Sequence, residues 1–339
     1  MQPIDFVMPW VDGADPVWQA EKLRAVPAED DSCDDREERF RDWGTLRYWF
    51  RGIEAFTPWV RKVHFITWGH LPAWLNVDHP KLAVVRHQDY IPPQYLPTFN
   101  SHTIELNLHR IKDLSEQFVY WNDDLFPLQP LRREDFFRHG LPCDSALMNP
   151  ANTMDLADAN GDGRIFYPSY NCVQHLNLHY SLRQCVKKHP LKWFNPRYGS
   201  YLLRNLLLVP WPRFVGFVDM HLAQPYLKHS FEEAWADSAE ILDRSCAHRV
   251  RSDHDINQWY IRYRQLAEGR FSPIFPRDHA CYRLTAESDE VFRVITQQEK
   301  PLVCLNDGPG AAACFEEQRA KLLRAFEAIL PERSSFEKQ

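Results

Sequence analysis

An amide and two carboxylates directly follow an apolar segment near the middle of the chain. Residues 118–121 are aromatic or β-branched, and Asn122, Asp123 and Asp124 come next, shortly before Pro127. Such a segment is typical of a buried parallel strand, whose carboxyl end opens into a crevice where ligands bind. Adjacent carboxylates there suit Mg²⁺ or Mn²⁺, which would hold phosphate oxygens. The alternative is an Asx turn that only caps the strand exit.

A second Asn-Asp pair ends another apolar run near the C-terminus. Residues 302–305 are apolar and lead into Asn306 and Asp307, which repeats the pattern of the first run. A second acid at a strand end could complete a metal site with Asp123 and Asp124.

Two other segments place polar residues at a turn or helix start. After the first apolar run, Asp12 and Gly13 offer an acid and close backbone approach, which suits a nucleotide, although a plain turn with Asp15 capping a helix fits equally. Farther on, Asn100 and Ser101 precede a predicted helix, whose free N–H groups can receive an anion.

One histidine and two arginines complete the candidate chemistry. His221 follows the apolar run 214–218, which resembles another strand, so it is a candidate general base as well as a candidate core residue. Arg249 and Arg251 stand at alternate positions, an arrangement that suits a phosphate clamp, and Asp255 is among the acids that could orient them. Structural ion pairing is the alternative for this group.

The order of apolar runs predicts the scaffold that carries these residues. Strands are predicted at 4–11, 63–69, 82–87 and 118–126, with helices at 45–56 and 103–113. This alternation implies a right-handed, mostly parallel α/β sheet of Rossmann-like or GT-A-like type. Beyond about residue 140 the pattern loosens into an irregular helical elaboration. Amphipathic helices are predicted at 231–242 and 318–330.

Composition limits the class of protein. The 339 residues are 44% hydrophobic and 14% aromatic, which indicates a globular chain with a large core. A net charge of −6 gives no general attraction to nucleic acid or to an anionic membrane. The start of the chain lacks a signal-peptide pattern and no apolar stretch reaches the ~18 residues of a membrane span, so we expect a cytoplasmic protein. The eight cysteines include no CxxC pair and are expected to be reduced, mostly core residues.

These segments together resemble the Stealth family of sugar-phosphate transferases. That family makes bacterial capsular polysaccharides and exopolysaccharides and includes the GlcNAc-1-phosphotransferase of animals. The family's four regions resemble, in order, residues 4–18, 39–127, 221–263 and 302–308, roughly half of the chain. The first two regions are specific and the last two are looser.

The resemblance implies transfer of a hexose-1-phosphate from a UDP-sugar, such as UDP-GlcNAc or UDP-Gal, to a hydroxyl of an oligo- or polysaccharide that could be lipid-linked. UMP would be released. Mg²⁺ or Mn²⁺ would lie on Asp123, Asp124 and Asp307, and His221 or an acid of the 122–124 run would be the base. Arg251 would stabilise the developing charge. The expected donor-binding residues are Asp12, Gly13, Arg47, Asn100, Ser101, Arg110, Arg249 and Asp255.

The resemblance also implies one catalytic domain over residues 1–330. Residues 1–140 would bind the nucleotide sugar, residues 141–330 would complete the site, and residues 331–339 would form a fraying tail. A cytoplasmic enzyme with peripheral contact at the inner membrane face is expected. The rival interpretations are a metal-dependent glycosyltransferase that releases UDP, and a non-catalytic protein that binds glycans through its aromatic residues.

Overall fold

The computed structural model describes residues 2–26, 33–34, 41–150, 166–219, 221–275, 280–308 and 314–338. The strands in these residues are β1 (Ile4–Pro9), β2 (Cys33–Asp34), β3 (Val63–Thr67), β4 (Leu82–Arg86), β5 (Gln117–Tyr120), β6 (Leu125–Pro127), β7 (Phe137–Arg138), β8 (Leu141–Asp144), β9 (Gln224–Leu227), β10 (Arg251–Ser252), β11 (Ser272–Pro273), β12 (Ala280–Leu284) and β13 (Leu302–Asp307). The helices are α1 (Pro16–Ala25), α2 (Leu46–Phe56), α3 (His87–Tyr90), α4 (Ser101–Leu106), α5 (Tyr167–His179), α6 (Leu182–Lys188), α7 (Pro190–Trp193), α8 (Leu202–Leu208), α9 (Lys228–Ala247), α10 (Trp259–Ala267), α11 (Asp289–Thr296) and α12 (Phe315–Ile329).

A five-stranded sheet in the order β4-β3-β1-β5-β9 forms the centre of the molecule. β1 pairs in parallel with β3 on one side and with β5 on the other, and β9 closes the edge antiparallel to β5. The predicted mostly parallel α/β sheet is therefore confirmed. Because the chain moves outward from β1 in both directions, the carboxyl ends of β1 and β5 border the kind of crevice where α/β proteins bind ligands.

Both faces of this sheet are buried, as expected for parallel strands between helices. Phe6, Phe65 and Trp121 belong to a core shared with α2 and α12. Val7 and Phe118, which point the opposite way, belong to a second core shared with α9 and α10. The alternation of side chains along β1 and β5 thus sends neighbouring residues into separate cores.

The C-terminal part returns to the strand end that carries the acids. β13 pairs antiparallel with β6, with Val303 opposite Phe126, and β12 pairs in parallel with β13. Residues 302–307 therefore lie beside the segment that follows Asp123 and Asp124, as the two Asn-Asp runs suggest.

Two predicted elements are wrong in detail. The helix predicted at 103–113 is shorter, since α4 ends at Leu106 and a 3₁₀ turn follows at 108–110. The strand predicted at 214–218 is absent apart from one bridge between Met148 and Phe217. The reason is positional, because β9 already occupies the sheet edge beside β5.

The C-terminal segment does not fray. Phe336 is 2% exposed and its ring centroid lies 5.2 Å from that of Phe50. Glu337 accepts a 2.8 Å hydrogen bond from Arg51 Nε, and its backbone bridges to Leu75. An aromatic anchor and a buried ion pair outweigh the polar composition that predicts a loose end. No helix in the described segments combines the length and apolarity that crossing a bilayer requires.

Candidate active site

Asn122, Asp123 and Asp124 form the turn between β5 and β6. The backbone N–H of Leu125 donates to the Asn122 carbonyl at 3.2 Å, which closes the turn. This bond joins two backbone groups, so the segment is a β-turn, and the hydrogen bonds of the described residues do not include the side-chain bond that defines an Asx turn. The turn also carries the chain from the central sheet to the β12-β13-β6 sheet, and it holds two carboxylates at the carboxyl end of β5.

These two carboxylates are electrostatically destabilised. The Asp123 side chain is open to solvent, yet the protein atoms that crowd the turn, together with the nearby Asp124 and Asp42, raise its pKa to about 7. Burial raises the pKa of Asp124 to about 6. Within the described part of the chain, Asp124 Oδ1 is buried and has no hydrogen-bond partner. An orphaned carboxylate oxygen beside a second acid fits a divalent cation with oxygen preference, as Mg²⁺ has.

His221 lies directly against this turn. Its Nε2 is 2.8 Å from Asn122 Nδ2 and 3.9 Å from Asp124 Oδ2, and its Nδ1 is 3.3 Å from Cys304 Sγ. Because an amide nitrogen only donates, Nε2 accepts and Nδ1 carries the proton. Burial lowers the pKa of His221, so the ring is neutral at pH 7. A neutral imidazole with its lone pair at the acidic turn can act as a general base.

A thiol pair supports the histidine from β12 and β13. Cys304 Sγ donates to Asp124 Oδ2 at 3.6 Å, and Cys281 stands opposite Cys304 on the neighbouring strand. Among the described residues, the group of three metal-capable side chains with donor atoms within 4.8 Å of one another consists of His221, Cys281 and Cys304. The sequence predicts that the cysteines are mostly core residues, and it does not predict that Cys281 and Cys304 lie beside His221. Pairing 302–307 with 122–127 in antiparallel register would have revealed Cys304.

Arg251 reaches the same place from β10. Its Nε donates to Ser101 Oγ at 3.0 Å, and its charge partly offsets the raised pKa values of Asp123 and Asp124. The structure therefore brings together His221, the two acids and Arg251. Their spacing in the sequence does not predict this proximity.

Asn100 and Asp255 form part of a buried hydrogen-bond network, and their role as donor-binding residues stays a prediction. Both side chains are wholly buried, and Asn100 Nδ2 donates to Asp255 Oδ2 at 2.9 Å. Asp255 also accepts from His102 Nδ1 at 2.9 Å, from His248 Nδ1 at 2.6 Å and from the Ser252 N–H at 3.0 Å. Burial works to raise the pKa of Asp255, but the bonds from His102 and His248 lower it to about 2. This network fixes Ser101 and Arg251, which adjoin its members.

Three other arginines have partners elsewhere. Arg249 donates to two backbone carbonyls of the 94–97 loop at 3.0 and 3.3 Å. The guanidinium of Arg110 lies 4.9 Å above an indole of α9. Arg47 Nε pairs with Glu337 Oε2 at 3.3 Å, in the docked C-terminal segment. These contacts give each of the three guanidinium groups a protein partner, and their role as donor-binding residues stays a prediction.

The turn after β1 contains a histidine that sequence reasoning missed. The Asp12 N–H donates to His70 Nε2 at 2.7 Å, and His70 Nδ1 therefore carries the proton that it shares with Asp15 Oδ2 at 3.1 Å. Asp15 caps α1, as the structural alternative predicts. The role of Asp12 and Gly13 in binding a nucleotide stays a prediction, now at the crevice beside β1.

Asp307 lies at the end of β13 as predicted, but its carboxylate is already paired. Arg41 NH1 donates to Asp307 Oδ2 at 2.8 Å and Trp43 Nε1 donates to Oδ1 at 2.5 Å. The described donor atoms of Asp307 do not form a three-ligand group with Asp123 and Asp124. Its role as a metal ligand stays a prediction that would require Arg41 to move.

Two acids at the carboxyl end of β5, with a neutral histidine and an arginine beside them, define the class: this is an α/β protein with the composition of an enzyme active site. Residues 2–30 match the family model of Stealth protein conserved region 1, and residues 39–143 match that of conserved region 2. The chain belongs to the Stealth family.

The chain is also similar to full-length polysaccharide phosphotransferases. A capsular polysaccharide phosphotransferase, WcwK, from Streptococcus pneumoniae is 37% identical over 340 residues, covering 100% of this chain and 99% of the relative. The exopolysaccharide phosphotransferase cps2G of Lactiplantibacillus plantarum is 35% identical, covering 99% and 96%. The receptor polysaccharide phosphotransferase WefC of Streptococcus oralis is 34% identical, covering 99% and 100%.

Proposed function

We propose that this protein transfers a hexose-1-phosphate from a UDP-sugar to a hydroxyl of a glycan acceptor and releases UMP, in the synthesis of a capsular polysaccharide or exopolysaccharide. The proposal rests on one observation, the neutral His221 beside two carboxylates of raised pKa and within the field of Arg251. The names of the full-length relatives support phosphate transfer to a polysaccharide.

The donor diphosphate requires neutralisation before a nucleophile can approach it. Asp123 and Asp124 are the residues that would hold Mg²⁺, because their pKa values stay raised even with the charge of Arg251 nearby. Once bound, the ion would supply charge neutralisation to the phosphate oxygens. Arg251 would bind the oxygens of the transferred phosphate, where negative charge develops.

His221 would take the proton of the acceptor hydroxyl at Nε2, once that hydroxyl replaces Asn122 Nδ2 as the hydrogen-bond donor to this nitrogen. The hydroxyl oxygen then forms a bond to the β-phosphorus as the bond from that phosphorus to the bridging oxygen breaks, and UMP leaves with the bridging oxygen. Asn122 and Cys304 fix the ring so that Nε2 faces the acidic turn. Because the bond between the sugar and its phosphate is never broken, the anomeric configuration is retained.

The decisive experiment follows the β-phosphorus. Purified protein is incubated with a UDP-sugar labelled at the β-phosphate, Mg²⁺ and a hydroxyl-bearing oligosaccharide, using UDP-GlcNAc and UDP-Gal in turn. Our proposal predicts label in the glycan and unlabelled UMP in solution. Label recovered in UDP would overturn it in favour of a glycosyltransferase. Glycan binding without metal and without any donor turnover would favour a binding protein.

A matched pair of histidine variants identifies the base. H221Q should lose the transfer, whereas H229Q, which changes a half-buried histidine of α9 that pairs with Glu116, should keep it. Transfer that survives H221Q would remove His221 from the mechanism and leave an acid of the turn as the base.

A further inference from the structure

The helical elaboration between the two halves of the central sheet has an unusual charge. Residues 166–218 contain no Asp or Glu, although the whole chain has a net charge of −6. They contain seven basic residues, namely Arg183, Lys187, Lys188, Lys192, Arg197, Arg204 and Arg213. A local positive region therefore exists in a protein whose total charge predicts none.

Helix α8 in this region buries a polar side chain and exposes several apolar ones. Its wholly buried residue is polar: Asn205 Nδ2 donates to the carbonyls of Ala146 and Trp193, both at 2.8 Å, and its Oδ1 accepts from the Met148 N–H at 2.9 Å. A helix of a water-soluble protein normally buries its apolar stripe. Here the three hydrogen bonds of Asn205 hold that side chain inward, while Leu203, Leu206 and Leu207 face outward and Leu208 packs against the second core.

The outward surface is continuous with the turn that follows. Leu203, Leu206 and Leu207 are 62, 57 and 70% exposed, at the spacing of one helical face, and Trp211 is 60% exposed. We name these four residues the leucine face. Exposed apolar residues grouped in this way mark an interaction site more often than single ones do.

Basic residues lie beside the leucine face. Arg183 of α6 donates to the Pro210 carbonyl at 3.1 Å, which holds α6 against the turn that ends at Trp211. Lys187 and Lys188 on the same helix are exposed. Apolar side chains bordered by lysine and arginine, with an indole at the margin, are typical of a helix that lies in a membrane interface.

We propose that the leucine face binds the surface of an anionic lipid bilayer. The leucines would enter the boundary between headgroups and acyl chains, while the lysines and arginines would contact anionic headgroups. The absence of acids over residues 166–218 favours anionic lipid over a symmetric contact with a second copy, because such a contact would bring two identical basic faces together. A lipid-linked acceptor would then meet the enzyme at the membrane, a consequence that rests on the proposed function.

Vesicle flotation tests the proposal without any sugar nucleotide. The protein should float with phosphatidylcholine vesicles that contain phosphatidylglycerol, should not float with phosphatidylcholine alone, and should dissociate as salt rises. L203S/L206S/L207S should lower the partition coefficient about a hundredfold. L23S is the matched control, because Leu23 on α1 is 80% exposed and lies outside the face.

A second test changes two exposed lysines of α6. K187E/K188E should lower partition at least about tenfold, since each basic residue near an anionic surface contributes measurably. K112E, at an exposed lysine elsewhere, should not change it. Flotation that survives the leucine changes would mean plain electrostatic adsorption and would overturn the insertion. Without vesicles, a dimer in sedimentation that the leucine changes dissolve would assign the face to a second copy instead.

Discussion

Asp255 holds together the segments that position Arg251 and Ser101, and D255N tests that role. The substitution keeps the shape of the side chain but removes its charge. Four donors converge on the carboxylate, and an amide can accept on only one of its two terminal atoms. At least one donor would then face an N–H₂ group inside a buried site.

The magnitude follows from the lowered pKa. A change from the usual 3.8 to about 2 stabilises the folded, ionised form by about 2 kcal/mol, since one pKa unit is about 1.4 kcal/mol. No discount for solvent applies, because Asp255 is wholly buried. We expect D255N to lose at least about 2 kcal/mol of unfolding free energy at pH 7.

The pH dependence gives the prediction its signature. A lowered folded-state pKa contributes stability that is complete above pH ~4, the unfolded value, and is lost as the pH falls through about 2. The difference between wild type and D255N should therefore shrink between pH 4 and about 2.

Urea unfolding at pH 7 and in acid, followed by tryptophan fluorescence and by far-ultraviolet circular dichroism, measures both effects. D78N, at an exposed aspartate, is the control. A D255N protein as stable as wild type at pH 7, with weakened donor binding, would refute the network argument and would restore Asp255 as a ligand-binding residue.

Three further predictions concern the site and the fold. H221Q should lower kcat about 10² to 10⁴-fold with little change in donor KM, and the acid limb of the wild-type pH profile should lie below the usual ~6.5, because burial lowers the pKa of His221. D123N should raise the melting temperature of the metal-free protein, because ionising Asp123 costs stability as the pH rises from about 4 to about 7. The same substitution should abolish stabilisation by Mg²⁺. Calorimetric titration of the wild type with Mg²⁺ should show weaker binding at pH ~6 than at pH ~8, because protons compete with the ion for Asp123. F336A should cost about 3–5 kcal/mol in urea unfolding, as expected for a buried aromatic, and an unchanged midpoint would show that the C-terminal segment does not support α2.

Much of the scaffold could be predicted from the sequence. The apolar runs that become β1, β3, β5 and β13 are short, mostly buried and bounded by turn residues, so their local pattern is enough to identify them, and the partly buried edge strand β4 is identified by the same pattern. Asp123 and Asp124 were identifiable for the same reason, since acids directly after a buried strand contrast with their surroundings.

Contacts between segments that are distant in the sequence could not be predicted. The pattern of residues 214–218 resembles a strand, but strand formation requires a free edge, and β9 occupies the edge beside β5. Cys304 meets His221 only because β13 runs antiparallel to β6. Arg249 and Arg251 look equivalent in sequence, yet one binds backbone carbonyls and the other reaches Ser101.

The sequence by itself determined which residue types could do chemistry, because side-chain type and strand-end position are local properties. Tertiary structure decided which of them lie together and which only support the others. Burial and hydrogen-bond partners depend on elements far apart in the chain, as Asp255 shows by serving the site without access to solvent. The same dependence left Leu203, Leu206 and Leu207 of α8 outward, since Asn205 finds its three backbone partners on the buried side of the helix.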